Sequence, residues 1–184
     1  MISQKMQDAL NAHVTAELYS ANLYLEHFPF LDRLWFGEYF DYDSPPDFWL
    51  VELSGIPFGV MGEMLQVPMN PWRGMLYGMT GRAPRTDNRP LWRAWDAFGL
   101  TESRMVGYWV PGAPVATDRA DVLATSYVRP GRTMVAVASW AAGPERVRLR
   151  IDWAALGLDP ARARITAPAI DQFQPEASFA PDEP

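Results

Sequence analysis

At 184 residues the chain is long enough for one good core or two small ones, and 48% apolar with 21% charged residues is an ordinary globular balance. A net charge of -6, from 22 acids against 16 bases, argues against a nucleic-acid partner, because neutralising phosphates needs a basic face. The absence of cysteine excludes disulfide frames, zinc ribbons and iron-sulfur clusters.

The first 25 residues lack the apolar core of a signal peptide, and no stretch approaches the roughly 20 apolar residues that cross a bilayer. The expectation is a cytoplasmic chain with no membrane partner. The averages conceal a break. Residues 1–27 contain no Gly, Pro, Trp or Phe, yet hold His13, His27 and the single lysine, Lys5; all 17 prolines, 13 glycines and 8 tryptophans come later. A helix excludes Gly and Pro by itself. It does not account for a remainder with fifteen arginines and no lysine.

The first predicted element is a long N-terminal helix. Ser3 suits an N-cap, and Met6, Leu10, Val14, Leu18, Ala21 and Leu25 recur at spacings of three and four. Such a helix cannot bury its stripe alone and needs helix-bundle partners. The run "SQKMQDALNAHVTAELYSANLYL" resembles the first helix of bacterial ferritins. The resemblance implies that Glu17 is an iron ligand, the one metal-ligand candidate, with Tyr24 packed beside it. A di-iron carboxylate site also takes Glu-x-x-His from other helices. No such motif occurs in this chain. Outside this ferritin-like alternative no cofactor is implied.

Seventeen aromatic residues follow between 28 and 110, a density found in sugar-binding surfaces and in packed cores alike. Trp35, Tyr39, Trp49 and Trp72 are the candidates for contacting a carbohydrate. "RLWFGEYF" is the first predicted strand, with Leu34, Phe36, Glu38 and Phe40 at period two. The turn-rich "DYDSPPD" comes next, holding Asp41, Asp43 and Asp47. At the C-terminal end of a barrel strand, Glu38, Asp41 and Asp43 would be catalytic carboxylates. Paired carboxylates suit glycosidic cleavage, one protonating the leaving oxygen and the other acting as base, nucleophile or orienter. Capping of the next element is the competing role for Asp43 and Asp47.

Glu52 and Glu63 are further acids in the glycine-punctuated stretch that follows, and the scattered methionines 61, 64, 69, 75 and 79 indicate core packing. "NRPLWRAWDAFGL" predicts a short helix with Pro90 in its first turn, Leu91, Trp92, Trp95 and Phe98 on one side, and Gly99 as stop. Beyond it "DVLATSYVRPGRTMVAVASW" predicts two strands about an Arg129–Arg132 turn. "ERVRLRID" alternates, with Val147, Leu149 and Ile151 inward and three arginines outward. A helical excursion at "DWAALGLDP", a strand at "ARITAPAI" and a proline-broken acidic tail complete the chain.

The blocks "LDRLWFGEYFDYDSPPDFWLVELSGIPFGVMGEMLQ", "NPWRGMLYGMTGR", "GYWVP" and "ASWAAGPERVRLRIDWAALGLDPARARITAPAIDQFQP" resemble the C-terminal part of a family of bacterial glycoside-hydrolase-like proteins. That family implies the end of a TIM barrel followed by a β-sandwich, a carbohydrate ligand, and a parent compatible with export. The expected fold is therefore α+β. It comprises a ferritin-like helix over 1–27, a partial α/β-barrel segment over 28–110, and an antiparallel β-sandwich-like domain with an acidic tail over 111–184. A complete barrel takes about 250 residues. The expectation for function is a truncated or chimeric glycoside-hydrolase-like protein that lacks barrel strands and is inactive alone. An iron-binding ferritin-like protein and a noncatalytic carbohydrate-binding module are the alternatives.

Overall fold

The computed structural model describes residues 33–36, 41, 43–59, 61–64, 70–80 and 85–180. The expected helix over 1–27 lies outside the described residues. The chain divides into two compact units, residues 1–84 and residues 85–184.

In the first unit β1, Arg33–Phe36, pairs in parallel and in register with β2, Met61–Met64. β1 is the first half of the strand expected at "RLWFGEYF". Parallel neighbours cannot be joined by a tight hairpin and need a crossover. Here the connection contains helix α1, Pro46–Phe48, a π-helical continuation Trp49–Leu53, and a 3-10 turn Ile56–Phe58. Pro46 starts the helix because its fixed φ suits the first turn, where its missing N–H is not needed. Gly55 ends the π-helical run at φ 71°, in the left-handed region that glycine tolerates. The Ser54 hydroxyl closes this end, donating to the Leu50 carbonyl at 2.7 Å and accepting the Ile56 N–H at 3.1 Å.

Helix α2, Pro71–Met75, has Asn70 as its cap, whose side-chain oxygen accepts the N–H groups of Trp72 at 3.0 Å and Arg73 at 3.2 Å. Buried side chains come from both parts: Trp49 and Leu53 from the π-helical run, Met75 from α2, and Leu76, Tyr77 and Met79 from the segment after it, with Tyr77 stacked on Trp49. Met75 and Met79 are buried, as expected of scattered methionines without cysteine or histidine beside them.

In the second unit helix α3, Arg89–Phe98, has Pro90 at its start and Gly99, at φ 78°, at its end. Leu91 and Trp95 are buried, but Trp92 is 43% exposed, which corrects its expected place on the packed side. One residue turns a helix by about 100°, so Trp92 sits at the margin of a stripe defined by positions 91, 95 and 98. A central antiparallel sheet follows in the order β3 (Arg104–Val106), β5 (Val122–Arg129), β6 (Arg132–Ser139). Its hairpin turns on Pro130–Gly131, with Arg129 and Arg132 as the last pair and Gly131 at φ 75°. Pro then Gly at the two central positions is the type II signature.

Strands β4, Val115–Thr117, and β7, Leu149–Ile151, form a second antiparallel pair. The two sheets share one core of Val115, Ala124 and Leu156, against which Val128, Val135, Val137, Leu149, Ile151 and Leu158 pack. Leu156 reaches it from the turn at 152–158, where Asp152 Oδ1 accepts the Ala155 N–H at 2.9 Å. Arg146, Arg148 and Arg150 are exposed and alternate with half-buried Val147, Leu149 and Ile151, as their spacing implied. The segment expected to be only an acidic tail contains β9, Ala177–Phe179, paired antiparallel with β8, Ile165–Ala167. A compact reversal makes this pairing, in which Ile170 and Gln174 exchange backbone hydrogen bonds at 2.8 and 2.9 Å.

Candidate active site

The parallel pair β1–β2 defines a direction in the first unit, and residues 37–45 leave the C-terminal end of β1. Barrel enzymes build their active sites from the segments that follow the C-terminal ends of their strands. Glu38 and Tyr39 lie in this stretch but outside the described residues, as does Glu17. Trp35 belongs to β1, where its Cα partner is Glu63.

Further along the loop the chain is held by its own aspartates. Asp41 Oδ1 accepts the Asp43 N–H at 2.9 Å, and the Asp41 carbonyl accepts the Ser44 N–H at 3.0 Å. This is an Asx-type turn, which Asp favours because its short carboxylate reaches the backbone two residues on. Asp43 in turn accepts a hydrogen bond from Arg73 Nη1 at 2.8 Å, tying the loop to α2. The carboxylate of Asp43 is 87% exposed, while Arg73 is 13% exposed. Neither Asp43 nor Asp47 caps α1, whose cap position is Pro45 without a side-chain hydrogen bond. Asp47 lies exposed in the first turn, where a negative charge suits the helix dipole.

Trp49 is fully buried, its ring stacked on Tyr77 with centroids 5.9 Å apart and planes inclined by 19°. Tyr77 Oη donates to the Pro46 carbonyl at 2.9 Å, so the pair bolts α1 to α2. This corrects the expectation that Trp49 stacks on a sugar: a ring without exposed surface is a packing group. Trp72 is half-buried at the start of α2. The described structure therefore brings together Asp41, Asp43 and Arg73. Sequence reasoning missed Arg73, since nothing local marks a partner thirty residues away from Asp43.

Close approach explains one glycine of the pair. A Cβ at Gly62 would stand 2.6 Å from the Leu53 carbonyl oxygen and 2.8 Å from that of Ser54. The Gly62 N–H donates to the same Ser54 oxygen at 3.1 Å, fastening β2 to the end of the crossover.

Residues 6–84 match the TIM-barrel domain of glycoside hydrolase 123, and residues 87–184 match the C-terminal domain of glycoside hydrolase 123. No curated protein and no solved structure matches the chain. The barrel match begins at residue 6 and runs across residues 27–29, so the ferritin-like reading of the first segment gains no support. The two matches meet between residues 84 and 87, where the structure divides into its two units. Two domains of one family, in succession and on either side of that division, show that this chain belongs to the glycoside hydrolase 123 family.

Proposed function

We propose that the chain acts on a carbohydrate by cleaving a glycosidic bond, with the reacting carboxylates in the first unit. The observation that carries this reading is the parallel β1–β2 pair in a segment matching a glycoside hydrolase barrel, with Glu38, Asp41 and Asp43 in the stretch of sequence that follows β1. Glu38 is assigned to the anomeric centre, where a carboxylate acts as base or nucleophile. Asp41 is kept as its neighbour. Asp43, ion-paired to Arg73, fixes the loop that presents them. Trp35, Tyr39 and Trp72 are assigned to the sugar, which aromatic faces accommodate through its apolar C–H surfaces.

Chromatography of an oligosaccharide library after incubation with the purified chain tests the reading. Shortened products from at least one sugar class, absent with Glu38→Gln, are the expected result. An incomplete barrel that retains glycans without shortening any of them is the competing expectation, and that outcome overturns the proposal.

A further inference from the structure

We propose that Arg146, Arg148 and Arg150, in the second unit, form a binding surface for an acidic polysaccharide, a partner in which carboxylate or sulfate groups repeat along a chain; the choice of a carbohydrate rests on the glycosidase reading above. All three arginines are exposed. They recur at period two, and Val147, Leu149 and Ile151 between and after them are half-buried, Leu149 and Ile151 against the core of Val115, Ala124 and Leu156. Alternate positions of an extended segment face opposite ways, so the arginines share the face turned away from that core. At about 6.7 Å for every second residue the row spans roughly 13 Å.

The acids around the row are engaged elsewhere. Glu145 Oε2 accepts a hydrogen bond from Arg119 Nη1 at 3.0 Å. Asp118 Oδ1 accepts the backbone N–H of Arg148 at 3.0 Å. Asp152 Oδ1 accepts the Ala155 N–H at 2.9 Å. Among the described residues none of the three guanidinium groups takes part in an ion pair. In a chain with 22 acids and 16 bases, three neighbouring arginines without an acidic partner are a local reversal of charge.

The neighbouring backbone leaves the row open. β7 pairs with β4 alone, so its other edge carries no strand among the described residues. Across the pair the residue opposite Arg150 is Ala116, too short to cover a guanidinium. Each guanidinium offers a planar fork of N–H donors that fits two oxygens of one anionic group, which a lysine row would not do. A linear array of such forks matches a linear partner whose charges repeat in one direction. The net charge of -6 over the rest of the chain disfavours a nucleic acid, whose phosphates need a wider basic face.

Isothermal titration calorimetry of the full chain at low salt tests the surface with polygalacturonate, dextran sulfate and neutral dextran. Binding to at least one acidic polymer and none to dextran is expected, and the polymer that binds separates a carboxylate ligand from a sulfate one. The variant Arg146→Gln/Arg148→Gln/Arg150→Gln is expected to bind about 10-fold more weakly. Arg85→Gln/Arg93→Gln/Arg104→Gln removes the same charge from other exposed positions of the unit and is expected to bind as wild type. Arg148→Gln alone, with an expected loss of about 2-fold, stands in if the row variant does not fold. Equal weakening in both triple variants means attraction by net charge alone and overturns the proposal, as does the absence of binding to either acidic polymer. A dimer in size-exclusion chromatography that the row variant breaks, with no polymer bound, gives the surface to a second copy of the chain and overturns the proposal too. Release of 2,4-dinitrophenol from 2,4-dinitrophenyl glycosides is scored separately. Cleavage without polymer binding overturns the surface and leaves the glycosidase reading standing, whereas binding without any cleavage overturns that reading and upholds the surface.

Discussion

Gly62 in the first unit and Gly99 in the second show how single residues fix local packing within each unit. Gly62→Ala puts a methyl group against backbone carbonyls that cannot swing aside, unlike the tip of a side chain. A loss of about 1–3 kcal/mol, the usual cost of overpacking, is expected from urea unfolding of this variant. Gly99 combines a φ of 78° with the guanidinium of Arg129, which lies where a Cβ would stand. That guanidinium donates to the Phe98 carbonyl at 2.6 Å and pairs with Glu102, so it serves the exposed carbonyl end of α3. Gly99→Ala is expected to cost about 1–2 kcal/mol from the left-handed backbone alone. Asp87 gives the unit an acid-sensitive contact. The Arg89 side chain, then its backbone N–H, hold the Asp87 carboxyl well below its ordinary value, at about 2. Between the ordinary carboxylate value and about 2 the unfolded chain binds the proton and the folded chain does not. Stability from this contact is therefore fully present above the ordinary value and is lost as pH falls through about 2. In Asp87→Asn the dependence of unfolding free energy on pH should be shallower across that window, measured by urea titration at fixed low salt.

Among the elements, the contrast between Trp49 and Asp43 separates packing from surface charge. Trp49→Ala empties a fully buried ring site and is expected to cost about 3–5 kcal/mol, whereas Asp43→Asn breaks an ion pair with one exposed partner and should cost about 0–1 kcal/mol. Circular dichroism during urea unfolding checks both. The same contrast explains what could be read beforehand. Helix α3 was legible because Pro90 and Gly99 mark its ends, and the β5–β6 hairpin because Pro130–Gly131 specifies its turn. β7 was legible because alternation of arginine with Val and Leu is a period-two signal. β3, β4 and β9 are three-residue strands with no alternating run around them, unlike β7, and proline-rich flanks disguised β9. Aromatic richness did not separate a sugar platform from a core, and Trp49 belongs to the core. The Asp43–Arg73 pair had no local signature because the fold alone brings its members together.

For the whole molecule, composition and structure divide the chain differently. The compositional break falls near residue 27, yet the barrel-domain match passes through it, and the division into units falls after Pro84. Lysine usage and aromatic content follow local sequence history and surface chemistry, whereas a structural boundary follows where packing stops. The family resemblance carried by blocks including residues 31–66 and 138–175 anticipated the glycoside hydrolase match, whose two ranges contain those blocks. Under the proposed function the chain cleaves glycosides through Glu38. Its most direct test is the initial rate of 2,4-dinitrophenol release from a panel of glycosides by wild type and Glu38→Gln. Release by wild type from at least one sugar and a fall of about 10²–10⁴-fold in the variant are expected. Release at equal rates by both proteins, or none from any sugar, would contradict it.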